Sequence, residues 1–455
     1  MITFDDVSFA YQGGIPDGSE PPALRHIHFH AERGECIVLC GKSGCGKTTM
    51  LRMVNGLVPH FYQGRLEGDI TVGNVHIKEA SLPQVAAVAG SVFQNPRTQF
   101  FHLDTTGEMA FNMENLNIPH DKMVERLKET AWKLDIQTLM DRDIFQLSGG
   151  EKQQIACGSV YASMPEVIVM DEPSSNLDME SIRKLQDLIR TMKDEGKTIL
   201  ISEHRLWYLE DIADRYVLLK DGQIENEFTS DEILALSLQE LEQSGLRAIR
   251  RKQLWNMRTR TIRQEKDMEK AAFLEIEGLR FSRQMRQVLD INRLAIPKGA
   301  IVAVIGENGA GKSTFALCLC GLLKHHGTVR INGERISNKK LPEQAYLVMQ
   351  EPGHQLFSDS VLGELMLNKG TVTETEAVAV LDKMGLAGLE NRHPGSLSGG
   401  QQQRLSLSVA LCTNREIMLY DEPTSGQDGD NLMRTAEMIR EANENAFCSM
   451  MVTHD

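Results

Sequence analysis

The chain has 455 residues, 41% hydrophobic and 25% charged, a globular balance with enough apolar side chains for two cores. Its formal net charge of −14 excludes a protein that coats nucleic acid, whose footprint would be basic. No stretch approaches the ~18 consecutive apolar residues of a membrane span, and the start Met1-Ile2-Thr3-Phe4-Asp5-Asp6 lacks a basic-then-apolar secretory signal.

In chain order, the apolar run Glu35-Cys36-Ile37-Val38-Leu39-Cys40 predicts a buried parallel strand. It feeds Gly41-Lys42-Ser43-Gly44-Cys45-Gly46-Lys47-Thr48, the phosphate-loop pattern G-x-x-x-x-G-K-[S/T], and residues 48–57 read as the following helix. Residues of roughly 104–165 form a helical lobe carrying Leu147-Ser148-Gly149-Gly150-Glu151, where Ser148 would cap a helix. A second buried strand, Val167-Ile168-Val169-Met170, delivers Asp171-Glu172 at its carboxyl end, where ligands sit in open α/β sheets. A third, Thr198-Ile199-Leu200-Ile201, precedes His204.

Residues 229–272 read as a linker: a helix over 231–238 capped by Ser230 or Thr229, then a basic stretch with Trp255 among Arg250, Arg251, Lys252, Arg258 and Arg260. Weak apolar spacing favours a solvated linker there over a helix lying on anionic lipid. The whole series then repeats. Ala300-Ile301-Val302-Ala303-Val304-Ile305 feeds Gly306-Glu307-Asn308-Gly309-Ala310-Gly311-Lys312-Ser313, with a helix over 313–323. A helical lobe over 359–415 carries Leu397-Ser398-Gly399-Gly400-Gln401, and Ile417-Met418-Leu419-Tyr420 delivers Asp421-Glu422 ahead of His454. Asp171 follows Ser148 by 23 positions and Asp421 follows Ser398 by the same 23; His204 and His454 follow their aspartates by 33. Equal spacing in two copies identifies a duplicated domain, with cassettes at 1–228 and 273–455, the second clipped at its C-terminal end.

The chemistry of the repeat is that of nucleoside triphosphates. Each glycine loop leaves backbone N–H groups free to converge on phosphate oxygens at a helix N-terminus. Lys47 and Lys312 would reach the β- and γ-phosphates, and Thr48 and Ser313 would place a hydroxyl on Mg²⁺. Asp171 and Asp421 would hold Mg²⁺ through water, Glu172 and Glu422 would polarise the attacking water, and His204 and His454 would meet the γ-phosphate. Ser148, Gly149 and Gly150, with Ser398, Gly399 and Gly400, form a second anion site, best explained if each closes on the nucleotide held by the opposite cassette. Thr49 and Thr314 complete the set that cradles ATP. The eight cysteines contain no C-x-x-C pair and read as core; Cys45, inside the first loop, reads as a small residue at a variable position, although a thiol there could be alkylated or oxidised. A reducing, cytoplasmic compartment fits.

Taken together, these motifs resemble the ATPases of ATP-binding-cassette (ABC) transporters over nearly all the chain except the linker. The resemblance implies an α/β fold: two P-loop NTPase ABC cassettes, each a mainly parallel sheet with a helical lobe and a small antiparallel β lobe. Gln94-Asn95-Pro96-Arg97-Thr98-Gln99-Phe100-Phe101 and Gln350-Glu351-Pro352-Gly353-His354-Gln355-Leu356-Phe357 share Q-x-P-x-x-Q-x-F. That pattern is similar to the ATPase pair of energy-coupling factor (ECF) importers, which take up vitamins and transition-metal ions. Ser202-Glu203-His204-Arg205 and Ala110-Phe111-Asn112-Met113-Glu114-Asn115 are similar to the same branch.

The resemblance implies Gln94 and Gln350 as Q-loop residues near Mg²⁺. It also implies integral membrane subunits docking at Phe101 and Phe357, and a peripheral position on the cytoplasmic face of the membrane, with no nucleic acid and no span of its own. Tyr11 is similar to the family's adenine-stacking aromatic, whereas Arg283 holds the matching place in the second copy, and Ser425-Gly426-Gln427-Asp428 departs from the usual D-loop. His454 stands one residue from Asp455 and is expected to fray. The competing class is a soluble tandem ABC ATPase acting on ribosomes or DNA.

Overall fold

The structure is a computed structural model describing residues 1–12, 22–250, 272–283, 286–367, 372–413, 415–445 and 447–454. It divides into two units, Met1–Met257 with Asp428–Asp430, and Arg258–Gln427 with Asn431–Asp455.

In the first unit, β1 (Ile2–Tyr11) pairs antiparallel with β2 (Leu24–Ala31) and β4 (Gly64–Val72), and β5 (Val75–His76) extends the sheet. Ile2, Phe4, Val7 and Phe9 face the core; the step from Phe4 to Val7 takes three residues because the register shifts there. The second sheet has the order β10-β9-β3-β8-β7-β6. Here β3 (Cys36–Cys40), β6 (Ala89–Val92), β7 (Val167–Asp171), β8 (Thr198–Ser202) and β9 (Arg215–Lys220) run parallel, and β10 (Gln223–Thr229) adds antiparallel at the edge. All five residues of β3 are buried, as a central strand covered on both faces demands. Helix Met179–Asp194 covers one face through Ile182, Leu185, Leu188, Ile189 and Met192, spaced three and four apart, with Asp178 capping its start. Helices Thr105–Asn115, His120–Lys133 and Gly149–Ala162 build the helical lobe.

The second unit repeats the plan with fewer strands described. Its antiparallel sheet has β11 (Ala272–Arg283) between β12 (Arg286–Pro297) and β14 (His326–Ile331), with β15 (Glu334–Ile336) outermost. Its parallel sheet runs β13 (Ala300–Val304), β18 (Cys448–Val452), β17 (Ile417–Asp421), β16 (Ala345–Val348). Among the described residues β13 pairs with β18 alone, and Ile301 and Ile305 are exposed where β3 is wholly covered. All eight cysteines are free and buried.

Three expectations need correction. The helices after the loops are Lys47–Val54 and Lys312–Leu319, shorter than expected, because Gly56 (φ 74) and Gly321 (φ 70) take left-handed backbone just past their ends. The single helix expected over 231–238 is two: Ser230–Ala235 capped by Thr229, then Leu238–Gln243 capped by Ser237. The first part of the expected linker packs as part of the first unit, since Ile233, Leu241, Leu246 and Ile249 are buried with its sheet residues. Arg250 pairs with Glu210, while the rest of the basic stretch, with Trp255, lies outside the described residues.

At the first phosphate loop a Cβ on Gly41 (φ 131) would stand 2.2 Å from the Leu219 carbonyl oxygen. Gly41→Ala therefore combines backbone strain with a clash against a fixed backbone atom, and we expect it to destabilise the first unit by about 1–3 kcal/mol. Hydrogen exchange on residues 36–48 would measure the loss, and unchanged exchange would contradict it.

Candidate active sites

Parallel pairing of β3 with β8, and of β8 with β7, brings three carboxyl ends to one edge. The first phosphate loop, Asp171-Glu172 and His204 all leave from that edge. Gly46 (φ 110) turns the chain into helix Lys47–Val54, and Lys47 Nζ donates to the carbonyls of Gly41 (2.9 Å) and Lys42 (3.0 Å). Cys45 Sγ lies 3.9 Å from Lys47 Nζ, and burial raises its thiol pKa, so it packs as a neutral group. Thr48 Oγ1 donates to Asp171 Oδ1 at 3.2 Å.

Glu172 adopts φ 43, unusual for a residue with a side chain, and Glu422 repeats this at φ 49. Glu172 Oε2 accepts from Gln94 Nε2 (2.7 Å) and Ser175 Oγ (3.4 Å), and its Oε1 lies 3.3 Å from His204 Nε2. Burial raises the Glu172 pKa, but the interaction with His204, the charge of Lys47 and the Ser175 hydroxyl outweigh it, leaving the carboxylate below its usual range. Burial lowers His204, keeping a neutral imidazole against an ionised glutamate. Asp171 is raised, first by burial and then by the charge of Glu172, against the bond from Thr48.

Tyr11 places its hydroxyl 3.0 Å from Thr49 Oγ1 and accepts from Arg52 at 3.3 Å, while Phe9 and Tyr62 pack edge-on to its ring. Ser148 caps helix Gly149–Ala162 in a reciprocal box with Glu151, and Ser398 does the same with Gln401 for Gly399–Leu411. The bonds described for Ser148 and Ser398 therefore stay within their own helix starts, and a Cβ on Gly149 or Gly399 would meet nothing within 4 Å.

In the second unit Lys312 Nζ donates to Gly306 (2.8 Å) and Glu307 (2.9 Å) and is more exposed than Lys47. Burial raises the Asp421 pKa against the Ser313 hydrogen bond and the Lys312 charge. His454 is not frayed. Its Nε2 sits 3.0 Å from Asn308 Oδ1 and 3.4 Å from Glu422 Oε1, with the side chain buried, because β18 carries it directly to the loop. Arg283 is exposed at the end of β11, opposite Arg286.

Phe101 and Phe357 are 74% and 77% exposed, and Phe101 stacks on Phe111 with centroids 4.9 Å apart. Sequence reasoning missed what holds these segments. Gln99 Oε1 accepts from Phe93 N (3.2 Å), and Gln355 Oε1 from Met349 N (3.1 Å). Buried Glu108 accepts from Phe101 N (2.8 Å) and His102 N (2.9 Å), and buried Glu364 accepts from Ser358 N. The signal was available: Glu108 and Glu364 each follow their Q-loop glutamine by 14 positions.

Removing the Glu108 carboxylate leaves two partly buried N–H donors unpaired. Glu108→Ala should cost about 1–3 kcal/mol and speed hydrogen exchange at Phe101 and His102. Unchanged exchange at those amides would show that the carboxylate does not hold the segment.

Comparison with known proteins agrees with this geometry. The family described as ABC transporter matches residues 24–175 and 289–425. A Treponema denticola protein, provisionally named an ABC transporter ATP-binding protein, is 39% identical over 460 residues, spanning 100% of this chain and 92% of its own. The Bacillus subtilis protein provisionally named HMP/thiamine import ATP-binding protein YkoD is 31% identical, spanning 100% of this chain and 87% of its own. The archaeal ribosome recycling factor aABCE1, solved with the ribosomal stalk protein aP1, shares the fold at a TM-score of 0.61 and 19% identity, covering 95% of this chain and 82% of that one. The chain belongs to the ABC transporter family, as a tandem pair of α/β P-loop cassettes that bind and hydrolyse ATP.

Proposed function

We propose that the chain is the energising subunit of an ABC importer of the ECF type, peripheral to the cytoplasmic face of the membrane. The observation that carries this reading is the 2.7 Å bond from Gln94 to Glu172. It sets the segment bearing exposed Phe101 one side chain away from the acid placed to activate water. A membrane subunit seated on Phe101 would therefore sense, and bias, the state of the hydrolytic carboxylate. The import role named for the Bacillus subtilis relative supports the same direction of transport. No helix among the described residues is long and apolar enough to cross a membrane, so in this reading attachment comes from the docked subunits.

Each residue has a defined task in the proposed mechanism. The N–H groups of the two phosphate loops hold the ATP phosphates, and Lys47 and Lys312 exchange their loop carbonyls for phosphate oxygens. Glu172, ionised and anchored by Gln94 and His204, accepts the proton of the attacking water, and Glu422 does so in the second site. The hydroxyls of Thr48 and Ser313, the carboxylates of Asp171 and Asp421 and the amides of Gln94 and Gln350 form all-oxygen sets that suit Mg²⁺. That ion takes few protein ligands beside phosphate and water, and Asp421 Oδ1 is buried without a hydrogen-bond partner among the described residues. Mg²⁺ when bound would neutralise charge on the transferring phosphoryl group. The open helix starts at Ser148 and Ser398 would each complete the site of the other cassette.

Glu172→Gln should leave ATP binding intact and slow hydrolysis at its site by about 10²–10⁴-fold, since the amide cannot accept a proton. The same turnover in the Glu172→Gln, Glu422→Gln double variant as in wild type would remove both from the base role. Replacing Phe101 and Phe357 by Asp should move the protein from the membrane to the soluble fraction with ATP affinity unchanged. Purification from detergent-solubilised membranes should bring down an integral membrane subunit with the wild type and not with this variant. Recovery of ribosomes or DNA-repair proteins instead would overturn the importer reading in favour of the soluble one.

A further inference from the structure

The turn after Glu172 is held differently in the two cassettes. In the first, the residues flanking His204 grip it from β8. Glu203 is buried and accepts from Ser174 Oγ, and Arg205, also buried, donates to the carbonyls of Ser174 (3.0 Å) and Leu177 (3.3 Å). Glu203 is tied to the sheet through its own N–H, which donates to Leu39 O at 3.1 Å on the strand that feeds the phosphate loop. In the second cassette the position of Glu203 is Thr453, and described bonds on the turn run to the two neighbouring helices. Gln427, standing where the first cassette has Leu177, donates to Pro423 O at 2.9 Å and accepts from Thr435 Oγ1 at 3.0 Å, and Gln403 also donates to Pro423 O at 2.5 Å.

We propose that Glu203 and Arg205 are positioning residues of the first ATPase site, clamping the 173–177 turn to the His204 strand so that Glu172 and His204 keep one geometry. This rests on the reading of Glu172 as the residue that activates water. Glu172 is bonded to β8 through its own N–H, which donates to Ser202 O at 2.9 Å. The turn beyond it has Glu203 and Arg205 as its ties to the His204 segment, and without them the 3.4 Å bond from Ser175 that orients the Glu172 carboxylate would depend on a turn free to shift. The clamp thus ties the motion of the turn to that of the histidine in the first site.

The chemistry of Glu203 supplies a discriminating variant. Burial pushes its carboxyl up to about 8, so at neutral pH it is an uncharged acid, and glutamine reproduces both its shape and its charge. Alanine removes the acceptor of the Ser174 hydroxyl and leaves that hydroxyl buried. In the full-length protein, Glu203→Ala should speed hydrogen exchange at the Ser175 and Leu177 amides by about tenfold and lower first-site kcat by a similar factor with KM for ATP unchanged. Glu203→Gln should restore both. Unchanged exchange in Glu203→Ala overturns the clamp. Faster exchange with unchanged kcat overturns the positioning role, provided Glu172→Gln is slow in the same assay; if Glu172→Gln turns over normally, the base reading is what has failed.

Discussion

Everything at the first site depends on the parallel hydrogen bonding of β3, β8 and β7. That ladder fixes which carboxyl ends are neighbours, and the chain leaves those ends as the phosphate loop, the His204 turn and the Asp171-Glu172 pair. Buried strands with a fixed register hold their side chains more tightly than surface segments, and the chemistry inherits that precision. The Thr48–Asp171 contact and the approach of His204 to Glu172 follow from the ladder, and the proposed clamp refines the second of them.

The two cassettes share this frame. In the first, Gly41 lies under the Leu219 carbonyl because β9 flanks β3, and Lys47 is buried beneath the loop it supports, so burial strengthens its electrostatic contacts and restricts the loop. Tyr11 adds an aromatic face braced by Phe9 and Tyr62, where the second unit offers exposed Arg283.

Much of this was legible in the sequence because the chemistry dictates residue types: glycines where backbone must approach phosphate, lysine and hydroxyl beside them, paired acids at strand ends. Equal spacing in two copies turned motifs into domains. The unread parts have separate causes. Gln99 and Glu108 act by accepting N–H bonds from Phe93, Phe101 and His102, partners that only folding brings near, although the equal 14-residue spacing of Glu108 and Glu364 from their glutamines marks the position. Helix ends were overrun because Leu57 and Leu322 continue the apolar pattern past the glycines that stop the helices. Residues 229–250 read as linker because they lie between the two copies of the repeat, yet Ile233, Leu241, Leu246 and Ile249 are buried in the first unit's core. His454 was expected to fray from its position alone, although its partners Asn308 and Glu422 hold it.

The proposal's central claim is that one chain carries two unequal ATP sites, the Lys47 site offering a braced aromatic face at Tyr11 and the Lys312 site offering Arg283 in its place, with the Lys47 site the tighter. Titration with a photoreactive ATP analogue, followed by mass spectrometry of the labelled peptides, tests this on the intact protein. The account predicts labelling around residues 41–49 at lower analogue concentration than around residues 306–314, with both labelled at saturation. Labelling of the two loops at the same concentration, or of the Lys312 loop first, would contradict it.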